Sequence, residues 1–226
     1  MLSKLFSNYE LSLTLYKRDL QSQFREALLG FVWLFIPTLA IAASFVLANN
    51  ASFISTDDTP IPYPAYLIIS LVLWQLFSES VMAPLAAIEK AKKIITRVQV
   101  PASVFILSKL MEVYTHFLLK LLLITVTMII FKIHVGPSLL LFPFGCLLLS
   151  LMGVLIGILL APFSLLFRDV SQSMPFVINL WMFLTPVVYP VSEQTAMKYL
   201  ALINPVTPVL VTTREILTNS STSTYD

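Results

Sequence analysis

Charge is scarce in this sequence. Asp, Glu, Lys and Arg make up 12% of the 226 residues, and apolar residues make up 58%. Soluble domains carry about 25% charged and about 45–50% apolar residues, so an ordinary water-soluble enzyme is excluded. A disordered chain is excluded as well. There are only five glycines and none is followed by Lys, which removes any phosphate-cradling P-loop. The single cysteine, Cys146, rules out an internal disulfide framework. It lies in an apolar run and reads as a packing thiol. The two histidines, His116 and His134, stand far apart with no carboxylate cluster beside them, so a metal site within one chain is not expected. The catalytic signatures His-Glu-x-x-His, Gly-x-Ser-x-Gly and Ser-x-x-Lys are all missing. A net charge of +2 is too weak for a nucleic-acid partner.

What is present is a series of long apolar runs, which place the chain among all-α polytopic membrane proteins. No charged residue occurs between Glu26 and Asp57, and Leu28 to Ala48 is long enough for a first span. Pro37 inside it predicts a kink or a break. A second span is expected from Pro64 to Pro84, with Glu79 near one end. A third helix runs from Ser103 to Phe131. The fourth span is expected over Leu139 to Leu160 and the fifth over Met174 to Val188. Two short apolar stretches follow, Tyr199 to Ile203 and Val206 to Leu217, readable as re-entrant or interfacial helices hinged at Pro205 and Pro208. The division is residues 1–27 as a cytoplasmic or interfacial segment and 28–226 as the transmembrane domain, with five spans visible.

Within the first 27 residues, charges interrupt any signal-peptide core. From Tyr9 to Leu28, apolar and charged residues alternate at helical spacing. Leu13, Leu20, Phe24 and Leu28 share a face, while Lys17, Arg18 and Arg25 lie elsewhere. This predicts an amphipathic helix lying in the membrane interface. Counting Lys and Arg outside the spans gives nine on the side of the N-terminus against three (Lys132, Lys198 and Arg214) on the other. The N-terminus is therefore expected in the cytoplasm.

The third helix carries Lys109, Glu112, His116 and Lys120, which fall on one face together with Thr127. Ionisable groups in a span cost about 2.5–3.5 kcal/mol each near its centre. The stripe is either a polar pathway or paired network, or a split set with Lys109 and Glu112 at the interface and only His116 and Lys120 deeper. The loop Glu89 to Pro101 is basic and amphipathic. It reads as a solvated loop or as a short cytoplasmic helix that docks into a partner protein. Gly153 and Gly157 form a Gly-x-x-x-Gly pair that permits close helix approach, between chains or within one. Aromatic residues crowd the first and fifth spans: Phe31, Trp33 and Phe35, then Phe176, Trp181, Phe183 and Tyr189. They read as packing residues and interface anchors, or as faces on which sugars can stack.

The order of these motifs resembles the type-2 ATP-binding-cassette exporter permeases. Arg18-Asp19-Leu20, Phe24-Arg25, Leu29-Gly30-Phe31-Val32-Trp33 and Pro37 resemble the entry to their first span. Lys93 to Pro101 resembles their coupling segment, and Phe167-Arg168-Asp169 the pair after their fourth span. Leu184-Thr185-Pro186-Val187-Val188-Tyr189-Pro190 resembles the end of their fifth span. Asn204-Pro205 and Arg214-Glu215 resemble their outer re-entrant region. The resemblance is greatest to permeases that export lipid-linked polysaccharides such as O-antigen, capsule or teichoic acid.

That resemblance implies a non-enzymatic transport subunit in the bacterial inner membrane. It implies a second copy of the chain and two separate ATPase subunits that hold ATP and Mg. It implies a lipid-linked glycan moving through a channel lined by the first and fifth spans, with Phe31, Trp33, Phe35, Phe176, Trp181, Phe183 and Tyr189 as lining candidates. Lys92, Lys93, Ile94, Arg97 and Pro101 would form the ATPase-coupling loop. Lys17, Arg18 and Arg25 would sit at a cytoplasmic gate for the lipid head, and Arg168 and Asp169 would form the cytoplasmic Arg-Asp pair. A small-molecule or drug exporter of the same family, and a non-transport membrane protein, are the competing readings. The family's sixth span is expected but is not visible before Asp226, so the sequence reads as a truncated product.

Overall fold

The computed structural model describes residues 2–25, 30–50, 59–95, 100–189 and 203–219. Among these, every regular element is helical. The helices are α1 (Leu2–Arg25), α2 (Ile36–Asn50), α3 (Tyr63–Ile95), α4 (Ala102–Ile130), α5 (Phe142–Leu166), α6 (Arg168–Leu184) and α7 (Val206–Thr218). Short 3-10 turns occupy Gly30–Leu34 and Pro137–Leu141. Three stretches are long and apolar enough to cross a bilayer: Tyr63–Lys92, Ala102–Ile130 and Pro137–Leu166. The chain is thus an all-α polytopic membrane protein. The places expected for the first and fifth spans hold shorter helices, α2 with 15 residues and α6 with 17. At about 1.5 Å per residue these reach roughly 22–26 Å.

The expected break at Pro37 is present. The 3-10 turn ends at Leu34 and the helix restarts at Ile36, so Pro37 falls in the first turn, where its missing N–H is not needed. Gly30 opens the turn at φ +47°, a left-handed conformation that glycine adopts without strain.

Pro84 does not end the second span as expected. The helix α3 runs through it for eleven further residues to Ile95. Gly157 of α5 gives the proline ring room: a Cβ there would lie 2.9 Å from the ring carbons. A Cβ on Gly153 would lie 2.7 Å from the Phe77 carbonyl oxygen. The Gly-x-x-x-Gly pair therefore serves the α3–α5 seam inside one chain. Polar side chains close the same seam, with the Ser80 and Ser150 hydroxyls 3.0 Å apart and the Tyr114 hydroxyl 2.9 Å from Ser150.

The central helix is α3, which touches α2, α4, α5, α6 and α7. Its apolar window is 72% buried, against 28% in α4 and 33% in α5. Tyr66, Leu67, Ile69, Leu73, Leu76 and Phe77 form the middle of the core. With 33 residues, α3 is about 50 Å long. That exceeds the about 30 Å of hydrocarbon, so its last turns reach beyond the bilayer core. The expected docking helix over Glu89 to Pro101 is therefore the tail of α3 as far as Ile95. Residues 96–99 lie outside the described set.

The helix α7 begins inside the bundle. The Asn204 side chain just before it accepts the Trp181 indole N–H at 3.1 Å and the Val206 backbone N–H at 3.1 Å. It donates to the Thr185 hydroxyl at 2.8 Å. Trp181 in turn packs edge-on against Phe77, 5.4 Å between ring centres. The other end of α7 meets the end of α4 and the start of α5, where Ser138 donates to the Ile216 carbonyl at 2.9 Å. Of the two expected short helices, Val206 to Leu217 is thus a limb rising from the interior. Residues 199–202 lie outside the described set.

Candidate functional site

The amphipathic helix α1 rests on α4 and on the tail of α3. Its docked face is more polar than the apolar spacing predicts. Ser12 is fully buried and Leu15 packs beside Ala87, Ala91 and Phe105. The Tyr16 hydroxyl lies 2.7 Å from the Thr115 hydroxyl. Asp19 pairs with Lys90, and the Gln23 side-chain oxygen meets His116 Nε2 at 3.2 Å. Tyr16, Asp19 and Gln23 follow one another at helical spacing, so one face of α1 makes all three contacts. Leu13 and Leu20 are half-buried on this helix; the side chain of Phe24, and Leu28, lie outside the described set. Burial alone would push the Asp19 carboxyl up, but the hydrogen bond and charge of Lys90, helped by Arg18, hold it below its ordinary value.

Under α1 lies the polar stripe of α4. Lys109 and Glu112 pair at 2.6 Å. Two turns further, Lys120 donates to Glu79 of α3 at 2.5 Å, and between them His116 Nδ1 stands 3.5 Å from the other oxygen of that carboxylate. His116 therefore bridges Glu79 on α3 and Gln23 on α1. All four stripe residues are paired, Lys109 with Glu112, and His116 and Lys120 with Glu79. The acid Glu79 was visible in the sequence only as a carboxylate inside a span. Two small cavities flank Glu79 and Met82. One of 190 Å³ is walled by Lys109, Glu112 and His116, and one of 180 Å³ by Pro175, Ile178 and Asn179 of α6.

The tail of α3 ties three other helices together at its basic end. Glu89 accepts a hydrogen bond from Ser171 of α6. Lys90 pairs with Asp19 of α1. Lys92 donates to the Leu165 carbonyl at the end of α5, at 3.3 Å, where a cation also complements the helix dipole. Lys93 and Ile94 belong to the last turn, with side chains outside the described set; Arg97 lies outside it altogether. Pro101 is exposed at the start of α4. Arg168 and Asp169 are exposed in the first turn of α6. Lys17 is exposed, and Arg18 is mostly exposed and pairs with Asp19 at 3.3 Å. Arg25 ends α1, its side chain outside the described set.

The aromatic candidates divide. Phe31, Trp33, Phe176 and Phe183 are exposed, and Phe35 is half-buried. Phe45 of α2 and Phe183 of α6 lie 6.3 Å apart, so the broken first span and α6 converge. Trp181 instead faces the core, held by Trp74, Phe77 and Asn204. Tyr189 is half-buried and donates to the Phe183 carbonyl at 2.6 Å.

At the opposite end from the α3 tail is a second lock that the sequence reading missed. The sequence shows Arg214 as an outer charge and as part of the Arg214-Glu215 motif, yet it is 4% exposed. Its guanidinium donates to the Ser70 hydroxyl at 3.0 Å and to the Pro186 carbonyl at 3.1 Å, and lies 4.1 Å from the centre of the Tyr66 ring. The Tyr66 hydroxyl also bonds the Pro186 and Tyr189 carbonyls, and Tyr63 bonds Val188. Two tyrosines and one arginine thus hold the strip after α6. The available signal was an arginine in the otherwise apolar run Val206 to Leu217, together with two tyrosines three residues apart at the head of a span.

Residues 10–218 match the family described as ABC-2 type transporter. The chain is 27% identical over 220 residues to an O-antigen export system permease protein of Myxococcus xanthus, covering 96% of this chain and 83% of that one. It is 26% identical over 220 residues to the protein of the same name from Klebsiella pneumoniae, covering 94% of this chain and 82% of that one.

Proposed function

The chain belongs to the ABC-2 type transporter family as a membrane-spanning permease, and on that premise we propose that it exports a lipid-linked polysaccharide, acting as one of two identical permeases driven by two separate ATPase subunits. The observation that carries the energy-coupling part is the tail of α3. Three nearby residues, Glu89, Lys90 and Lys92, are bonded to α6, α1 and α5 respectively. A push on the basic loop that follows reaches three other helices through single contacts. ATP is hydrolysed on the partner chains, and the segment from Lys92 to Pro101 receives their closure.

The basic end faces the cytoplasm in this reading, following the Lys and Arg excess there. The helix α1 is the gate. Lys17 and Arg18 project from its exposed face, where they attract the phosphates of the lipid head together with Arg25. Tyr16 and Gln23 hold the other face closed on α4, and Asp19 holds it on the tail of α3. The exposed aromatics Phe31, Trp33, Phe176 and Phe183 face the passing glycan, Phe183 at the place where α2 and α6 converge. The substrate class comes from the relatives' O-antigen export names and from this aromatic surface.

Gene deletion in the native host, with lipid-linked glycan assayed inside and outside the cell, tests the reading. Glycan trapped inside with a bare surface is the expected result. A normal surface glycan in a host with no second exporter overturns it and moves a small-molecule exporter to the front. Neutralising Lys17, Arg18 and Arg25 together is expected to weaken substrate-stimulated ATPase more than basal ATPase. Equal loss of both would point to a docking or folding defect.

A further inference from the structure

The end of the bundle away from the α3 tail carries two adjoining cavities, one with apolar walls and one with a mixed lining. The larger, 660 Å³, lies beside the last turns of α4 and is lined by Leu121, Ile124, Met128, Leu139, Phe142 and Leu217, among others. Its volume falls within the about 300–1,000 Å³ of small-molecule sites. Its walls include the exposed apolar residues Ile129, Val135 and Leu139, so it is open along an apolar rim. The smaller, 320 Å³, is framed by the Pro60 to Pro62 segment, by Phe131 and by Thr218 and Asn219. The two cavities share Lys132, Ile133 and His134.

Lys132 stands at the junction with a fixed backbone. It has φ +51°, a left-handed conformation uncommon for a residue with a side chain. The cause is a Schellman end to α4: the Lys132 N–H bonds the Ile129 carbonyl at 3.3 Å and the Ile133 N–H bonds the Met128 carbonyl at 3.0 Å. Glycine is the usual residue there, and a lysine accepts strain to occupy it. Among the described residues, Lys132 has no ion pair.

We propose that these cavities hold one anionic glycerophospholipid of the bilayer, with an acyl chain in the apolar cavity and its phosphate at Lys132, His134 contributing at the same rim. The argument is one of complementarity. An apolar slot, a chamber of mixed lining next to it and, at the boundary, an exposed lysine with no ion pair among the described residues match a chain, a headgroup and a phosphate in that order. From Leu121 to Ile129 the slot follows α4 for about 12 Å, enough for a long segment of one chain. The site is independent of the exported substrate and requires only that the protein lies in a membrane.

The test is native mass spectrometry of the purified full chain in detergent, titrated with palmitoyl-oleoyl phosphatidylglycerol and with phosphatidylcholine carrying the same chains. One retained phosphatidylglycerol per chain is expected, in preference to phosphatidylcholine. Lys132→Asn removes the charge while asparagine tolerates the left-handed backbone. It should weaken phosphatidylglycerol binding about five-fold, the worth of one basic residue beside an anionic lipid, and leave phosphatidylcholine unchanged. Thr125→Phe, which leaves Lys132 and its backbone alone, should fill the slot and abolish retention of both lipids. Equal retention of the two lipids by the wild type, or unchanged preference in Lys132→Asn, overturns the proposal. Competition by inorganic phosphate at the lipid's own concentration would make this a bare anion site. Stronger retention of a polyprenyl phosphate would make it a site for the transported carrier, and either result overturns the bilayer-lipid assignment.

Discussion

Lys120 and Glu79 meet at 2.5 Å across the α3–α4 seam, and the lysine side chain is only 6% exposed. A lysine buried to that extent is costly without its carboxylate. Removing one partner strands the other and costs about 3–5 kcal/mol, whereas replacing both can be nearly neutral. Glu79→Gln should therefore lower the melting temperature in detergent sharply, and Glu79→Gln with Lys120→Met should recover most of the loss. A double variant as unstable as the sum of the two single ones would show that the pair does not act as a unit.

Arg214 uses its planar head three ways, on a hydroxyl, a carbonyl and an aromatic face. Lysine cannot reproduce that geometry. Arg214→Lys is expected to cost about 2 kcal/mol or more, the worth of a desolvated cation–π contact, and to expose the strip after α6 to protease. Wild-type protease resistance in Arg214→Lys would refute the lock.

Gly157→Ala places a methyl against the Val81 carbonyl and the Pro84 ring. Both are backbone-bound and cannot move aside, so a loss of about 1–3 kcal/mol is expected. Because the contact lies within one chain, the oligomeric state measured by light scattering should not change. A shift in oligomer without a loss of stability would assign the glycine to an interface between chains.

The docking of α1 should weaken in acid. Burial raises the Asp19 carboxyl, but Lys90, with Arg18 and Lys109, brings it below the ordinary value of 3.8. A lowered value in the docked state means that the stabilisation is complete above that ordinary value and is lost as pH falls through the docked one. Pepsin cleavage of α1 along an acid titration should show this release. Lys90→Met should remove the acid-dependent step, and a step that persists unchanged would place its origin in another group.

Hydropathy located α4 almost to the residue: Ser103 to Phe131 was expected, and Ala102–Ile130 is observed. Pro101 and Lys132 bound that run sharply. The end of α3 was not legible, because Pro84 is a helix breaker in a lone sequence. Only Gly157, 73 positions later, makes room for it. The stripe on α4 was legible from its spacing. Its partner Glu79 was not, since an apolar run reports depth and says little about facing. Trp181 shows the same limit: an aromatic near a span end reads as a wall of the pathway, and only the hydrogen bond to Asn204 turns it inward. The Tyr66–Arg214 contact joins residues too far apart for any local pattern to pair them.

The sequence order of the Glu79–Lys120 pair has a consequence for synthesis. Glu79 leaves the ribosome 41 residues before the lysine that neutralises it. At that moment α3 is a span with an uncompensated carboxylate, and most of its buried surface still awaits α4, α5 and α7. It cannot settle in lipid by itself at low cost. Entry of α3 and α4 together as a hairpin removes that cost, because Lys120 then reaches Glu79.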